Sequence, residues 1–181
     1  MSETLIRPCV PDDLPEVRDI YADAVRHGLA SFEVTPPDLA EMTRRWQTLD
    51  AGGYPYLVAE GGGALLGYAY AGPYRPRPAY RGTVENSVYV APEAKGRGVG
   101  RQLLAALIAA AEIRGFRQMI AVIGDSGNAA SIGLHRALGF RDAGVFRSVG
   151  WKHGRWLDSV LMQRPLGPGD TTPLEGPSGQ V

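Results

Sequence analysis

The stretch Val88-Tyr-Val-Ala-Pro-Glu-Ala-Lys-Gly-Arg-Gly-Val-Gly-Arg-Gln-Leu-Leu104 constrains this chain more than any other. Glycines alternate at positions 96, 98 and 100, directly after an apolar strand pattern and directly before a helical one. Such a turn lets successive backbone N–H groups converge on one anion, because no Cβ blocks the approach. The helix N-terminus adds partial positive charge, and Arg97 and Arg101 add full charges. The expected guest is a pyrophosphate. Two common nucleotide loops do not fit: a dinucleotide fingerprint needs glycine where Arg101 stands, and a Walker loop needs Gly-Lys-Ser/Thr. Taken alone, the turn is also compatible with flexible punctuation between two solvated arginines.

Periodicity around this turn gives an alternating series of elements. Thr4–Pro8 reads as a strand, followed by a helix with Pro11 in its first turn and Leu14, Val17, Ile20, Tyr21 and Val25 on one face, ended by Gly28. Thr35 is the expected N-cap of a second helix, with Pro36 at its first position and Leu39, Met42, Trp46 and Leu49 as its buried stripe. Tyr54–Glu60 and Ala64–Ala71 read as a hairpin across Gly61-Gly62-Gly63, and Thr83–Val90 as the next strand. Gly98–Arg114 is a helix with Leu103, Leu104, Leu107, Ile108 and Ala111 apolar. Arg117–Ile123 is a strand, and Asn128–Leu138 a helix stopped by Gly139. Val145–Val149 and Trp156–Met162 are the last strands, with Trp46 and Trp156 expected in the core. The pattern is an α/β (α+β) domain around one sheet.

At 181 residues and 44% hydrophobic content, one core needs no disulfide or structural metal. A domain of residues 1–165 is expected, with 166–181, rich in Gly and Pro, as a disordered tail. Nineteen basic residues balance nineteen acidic ones, which argues against a nucleic-acid-coating protein. Cys9 stands alone, so a reducing compartment is expected, and its place in a strand-to-helix turn suggests structure, not nucleophilic chemistry. The longest uncharged apolar run in a helical pattern, Leu103–Ala111, is too short for a membrane span, and Met-Ser-Glu-Thr lacks the features of a signal peptide. A cytoplasmic protein without a membrane or nucleic-acid partner is the expectation. No His, Cys, Asp and Glu spacing suggests a metal site.

The strand ending in Val-Tyr-Val, followed by Lys95-Gly-Arg-Gly98-Val-Gly100, resembles the acetyl-CoA motif of the GNAT N-acetyltransferases, with Lys95 where the family usually has Arg or Gln. Asn128-Ala-Ala-Ser-Ile-Gly-Leu-His-Arg-Ala-Leu-Gly-Phe140 is similar to that family's Asn…Leu-Gly-Phe segment. Tyr70-Ala-Gly-Pro-Tyr74, Ala79-Tyr80, Thr83–Val90, Ala121–Gly124, Leu134-His135 and Gly150–Trp156 look like the phosphinothricin and methionine sulfoximine acetyltransferase branch. The resemblance implies a mixed sheet of about seven strands with about four helices, a homodimer, and acetyl transfer from acetyl-CoA to the α-amino group of a small amino-acid analogue. It assigns the cofactor to Val88, Tyr89, Val90, Gly96, Arg97, Gly98, Val99, Gly100, Arg101 and Asn128, with pantetheine between strands 83–90 and 117–123. Another amine acetyltransferase and a non-catalytic acetyl-CoA-binding domain are the alternatives.

Acetyl transfer to an amine needs a base for the ammonium and a proton source for the departing thiolate. Glu85, an acid in an apolar strand beside the turn, is the candidate base, and partial burial would raise its pKa toward neutrality. An edge-strand glutamate facing solvent is the alternative. His135 is the second catalytic candidate, by proton relay or by holding substrate; a packed helix histidine is its alternative. The proline-stiffened loop with Arg75, Arg77 and Tyr80 suits a carboxylate or phosphinate, although a solvated basic loop has the same composition. The resemblance adds Phe32, Asn86, Ser87 and Val122 to Glu85 on the substrate side.

Overall fold

The computed structural model describes residues 4–174, built on one seven-stranded sheet in the order β1-β2-β3-β4-β5-β7-β6. The strands are β1 (Leu5–Pro8), β2 (Tyr56–Gly61), β3 (Ala64–Pro73), β4 (Thr83–Val90), β5 (Gln118–Gly124), β6 (Arg141–Lys152) and β7 (Arg155–Pro165). The α-helices are α1 (Leu14–His27), α2 (Leu39–Ala51), α3 (Val99–Ile113) and α4 (Ala129–Ala137). All neighbouring strands are antiparallel except β4 and β5, so the sheet is mixed, as expected.

The two-residue alternation of β4 decides which side chains meet which helices. Glu85, Ser87 and Tyr89 share one face with their register partners Gly72, Tyr70 and Tyr68. Tyr21 of α1 packs edge-on against Tyr89 at 5.0 Å, so α1 covers that face. The opposite face carries Asn86 and Val90. His135 of α4 bonds to Asn86, and a Cβ on Gly100 of α3 would sit 3.4 Å from Val90. Leu103, Leu104 and Leu107 of α3 are fully buried against this second face, and Val17 and Val25 of α1 are buried on the first.

Helix α2 starts three residues later than expected, with its cap moved from Thr35 to Asp38. Asp38 is its N-cap, and its carboxylate accepts from the Glu41 N–H at 2.8 Å. The last two strands are longer than the expected Val145–Val149 and Trp156–Met162. Strand β6 is an edge with two register shifts and Ser148 at φ 53°, so its apolar residues do not alternate cleanly. Trp156 is not core: it is 62% exposed and packs edge-on with Trp151 at 5.3 Å. Trp46 does pack against the core.

Packing does not stop at residue 165, where the domain was expected to end. Leu166 is fully buried and its N–H donates to the Arg117 carbonyl at 2.9 Å. The Arg117 guanidinium then donates to the Gly169 carbonyl, the Thr172 hydroxyl and the Pro173 carbonyl, and Leu174 lies over Gly82. One arginine thus supplies donors to a segment with no regular structure of its own. The expected disorder of 175–181 falls outside the described residues.

Candidate active site

Strands β4 and β5 pair over only four register positions, ending at Asn86↔Ala121. Beyond that point they part, and Val88 to Val90 keep partners only on the β3 side. The opening is a narrow cleft lined by Ala30, Asn86, Ser87, Val88, Tyr89, Ala121, Val122, Ile123, Gly124, Asn128, Ser131 and His135. Pairing lost on the facing edges leaves backbone donors and acceptors free for an extended amide-bearing guest.

The glycine turn lies just past the Val90 end of β4. Gly96 and Gly98 have φ of 76° and 81°, a conformation that side-chain-bearing residues rarely adopt. A Cβ at either would have nothing within 4 Å, so both backbones face open space. Gly98 caps α3, and the N–H groups of Gly98, Val99, Gly100 and Arg101 have no backbone acceptor among the described residues. Four unpaired donors at a positive helix end form a cradle suited to a pyrophosphate. Asn128, at the N-terminus of α4, spans the cleft's far wall: its oxygen accepts from the Ser131 N–H at 3.1 Å and its amide donates to the Gly124 carbonyl at 3.1 Å. Tyr89 reaches the cleft through its backbone alone, because its ring lies on the opposite face against Tyr21 and Tyr68.

His135 is 3% exposed, and each ring nitrogen faces an oxygen acceptor, of which a neutral imidazole can donate to only one. Nδ1 lies 2.8 Å from the Ser131 carbonyl and Nε2 lies 3.0 Å from Asn86 Oδ1, while the Asn86 amide donates to the Ile120 carbonyl. Burial pushes the imidazole below the ordinary histidine value, and the Ser131 carbonyl pulls it back. The ring borders the cleft, but its polar atoms fix Asn86 at the point where β4 and β5 diverge.

Glu85 stands on the other face of β4. Burial raises its pKa from the ordinary carboxyl value, opposed by the Arg75 charge. Beside it opens the larger cavity, about 380 Å³, lined by Tyr21, Met42, Arg44, Arg45, Thr48, Leu49, Tyr56, Tyr68, Tyr70 and Pro73. Tyr70 faces Ser87 across the strands, and Leu49 covers Gly72, the register partner of Glu85. These tyrosines were not singled out in the sequence. The signal was there: Tyr68 and Tyr70 sit two apart on β3, and Tyr56 pairs with Tyr70 on β2, which puts all three on one face.

The remaining expected residues are spread around this centre. Arg75 lies over the Tyr74 ring at 5.2 Å, and Tyr74 packs edge-on with Tyr80, so the loop's aromatic pair supports one arginine. Arg77 is exposed on the same loop. Phe32 lies at the other side, where a Cβ on Gly124 or Gly150 would come within 2.6 or 2.5 Å of its ring. Burial pushes the Cys9 thiol up to about 12, which suits the structural role expected for it. Among the described residues no cluster of three or more His, Cys, Asp or Glu could hold a metal, and no helix is long and apolar enough to cross a membrane.

A cradle for pyrophosphate, a split in a mixed sheet, and a half-buried acid beside it define an acyltransferase of the kind the sequence motifs resemble. The acetyltransferase (GNAT) family model matches residues 14–140, and this chain belongs to that family. It is 60% identical over 167 residues to the phosphinothricin N-acetyltransferase of Alcaligenes faecalis, covering 92% of this chain and 85% of that protein. It is 48% identical to the L-methionine sulfoximine/L-methionine sulfone acetyltransferase of Pseudomonas aeruginosa, covering 93% and 98%. The crystal structure of a phosphinothricin acetyltransferase from Sinorhizobium meliloti in complex with acetyl-CoA superposes with a TM-score of 0.93 at 48% identity, covering 96% of this chain and 94% of that one. GNAT acetyltransferases use acetyl-CoA, and the cleft and cradle fit its pantetheine and pyrophosphate.

Proposed function

We propose that this enzyme transfers the acetyl group of acetyl-CoA to the α-amine of a small amino-acid analogue of the phosphinothricin, methionine sulfoximine or methionine sulfone type. The observation that carries the reading is the position of Glu85: a carboxylate of raised pKa, on the tyrosine-lined face, one residue from the last β4–β5 pair. Acetyl-CoA supplies the thioester. The N–H groups of Gly98 to Arg101 hold its pyrophosphate, and Asn128 with the free edges of β4 and β5 holds the pantetheine arm. Glu85 accepts the proton of the substrate ammonium, directly or through water, and frees the lone pair to attack the thioester carbonyl; the C–N bond forms as the C–S bond breaks, and CoA leaves as the thiol with the proton the amine nitrogen gives up. Burial, which raises its pKa, makes Glu85 a stronger proton acceptor than an exposed carboxylate. His135 is a holding group here: through Asn86 it fixes the geometry of the split.

The acceptor lies on the Glu85 face, with Arg75 and Arg77 over its carboxylate, Tyr80, Ser87 and Val122 about the reacting end, and Phe32 as one wall. A cytoplasmic homodimer completes the reading. Edge strand β6 leaves its outer backbone unpaired and shows Phe146 and Trp151 on its surface, and two such edges can meet about a twofold axis. The test is a thiol-release assay with acetyl-CoA over amino acids, their sulfone and sulfoximine analogues, phosphinothricin and carboxylate-free amines. Preference for the carboxylate-bearing analogues is expected. Equal turnover of carboxylate-free amines would overturn the substrate class.

A further inference from the structure

Lys152, the last residue of β6, is 4% exposed, and a lysine so buried needs an acceptor. Its ammonium donates to the Ser31 carbonyl at 2.7 Å, across 121 residues of sequence. Burial lowers its pKa and the nearby Glu33 carboxylate raises it again. Ser31 and Glu33 flank Phe32, and both are anchored from α1: the Tyr21 hydroxyl donates to Glu33 Oε1 at 2.8 Å and lies 2.9 Å from Ser31 Oγ. Arg45 of α2 grips the same Glu33 carboxylate at 2.6 Å. The loop between α1 and α2 is therefore pinned on both sides of Phe32, once to the helices and once, through Lys152, to the β6 hairpin.

Phe32 needs both attachments. Its ring lies over Gly124 at the end of β5 and Gly150 of β6, close enough that a methyl group at either position would overlap it. Gly150 is two residues from Lys152, so the ammonium and the ring dock on the same short piece of strand. We infer that Lys152 is a positioning residue for the acceptor site: its bond to the Ser31 carbonyl sets the place of the Phe32 ring at the rim of the cleft. Lys152 touches neither substrate nor cofactor in this account; it acts through the loop. The inference rests on the proposed acceptor site, in which Phe32 is a wall.

A double-mutant cycle separates the two ideas. Lys152→Met keeps an unbranched apolar stem and removes the donor. The expected result is a roughly tenfold rise in KM for the amino-acid acceptor, with kcat and the acetyl-CoA KM each within about twofold. Phe32→Ala should raise the same KM, and in that background Lys152→Met should change it by less than about twofold, because its route of action has gone. Gly150→Ala, which leaves Lys152 in place and displaces the ring from below, should reproduce the acceptor-KM rise. Should Lys152→Met fail to fold, Lys152→Gln runs through the same cycle with the same criteria. Independent, multiplicative effects of Lys152→Met and Phe32→Ala would overturn the inference, as would an unchanged acceptor KM in the lysine variant. If Phe32→Ala alone leaves every acceptor KM unchanged, the acceptor-site reading fails at Phe32, and a persisting effect of Lys152→Met then refutes this route as well.

Discussion

Replacing Glu85 by glutamine keeps the shape and hydrogen-bonding reach of the side chain but removes the base. Two opposing causes act on the wild-type carboxyl, burial raising its pKa and the Arg75 charge lowering it, and burial is the larger. Loss of a general base costs roughly 10²–10⁴ in turnover, or about 2.7–5.4 kcal/mol of transition-state stabilisation. Acetyl-CoA affinity should hold, since the cradle is at the opposite end of β4 and Asn86, not Glu85, faces the cleft. The same shift fixes the sign of a stability effect. A carboxyl with a raised folded-state pKa binds its proton more readily when folded, so it destabilises the native state once pH rises through the folded value. Glu85→Gln should therefore melt higher than the wild type at pH 8, and the gap should close as pH falls toward the ordinary carboxyl value of 4.5. Each kcal/mol regained is worth roughly 2–4 °C in a domain of this size. Stopped assays of kcat from pH 5 to 9 and calorimetric melts at pH 4 and 8 measure both. Activity within a few-fold of wild type, or a melting gap that widens on acidification, would refute the reasoning.

Arg75→Ala removes the one charge that holds Glu85 down, so the acid limb of the kcat profile should move to higher pH; a limb that stays put disconnects the two residues. Gly98→Ala meets no protein atom but must hold a left-handed φ of 81°, so about 1–2 kcal/mol of stability should be lost. Calorimetry should also show CoA binding weakened at least tenfold in the folded variant. Ending the chain at Pro165 removes buried Leu166, with about 1.5–3 kcal/mol of apolar burial; a melting temperature equal to wild type would restore the expected boundary. Trp151→Glu with Trp156→Glu places charges near the turn of the β6–β7 hairpin, and sedimentation should then show a monomer if edge strand β6 joins two copies.

The parts of this molecule that sequence made legible are those where one period and one burden coincide. Helix α3 has to bury Leu103, Leu104 and Leu107 on one side, and Gly98 has to carry a positive φ; both leave marks in the residues themselves. Glu85 was visible for the same reason, as an acid where the pattern wants an apolar group. The tyrosine cavity was harder, because it is assembled from β2, β3, α1 and α2, and no single stretch shows it. Strand β6 was read short since an edge strand with two shifts has no alternation to follow. Leu166 was lost among glycines and prolines, where composition says little about a single anchored side chain. His135 was legible as a special residue, but its role depends on Ser131 and on Asn86, 49 residues away.

The strand order has a consequence for how the chain comes together. β7 is the last strand among the described residues, yet in the sheet it lies between β5 and β6, paired with both. Until Arg155–Pro165 has been synthesised and released, β5 has one empty flank and β6 has no partner in the sheet. A nascent chain that already carries the glycine turn, Glu85 and Asn128 thus holds its catalytic parts on an unfinished frame. Closure waits for β7, which meets β6 in a local hairpin but pairs with β5 across 35 to 47 positions, and that second pairing forms slowly. For that interval the bare flank of β5 is an open strand edge, ready to pair with the wrong chain. The enzyme's exposure to misassembly is concentrated in the interval before β7 emerges.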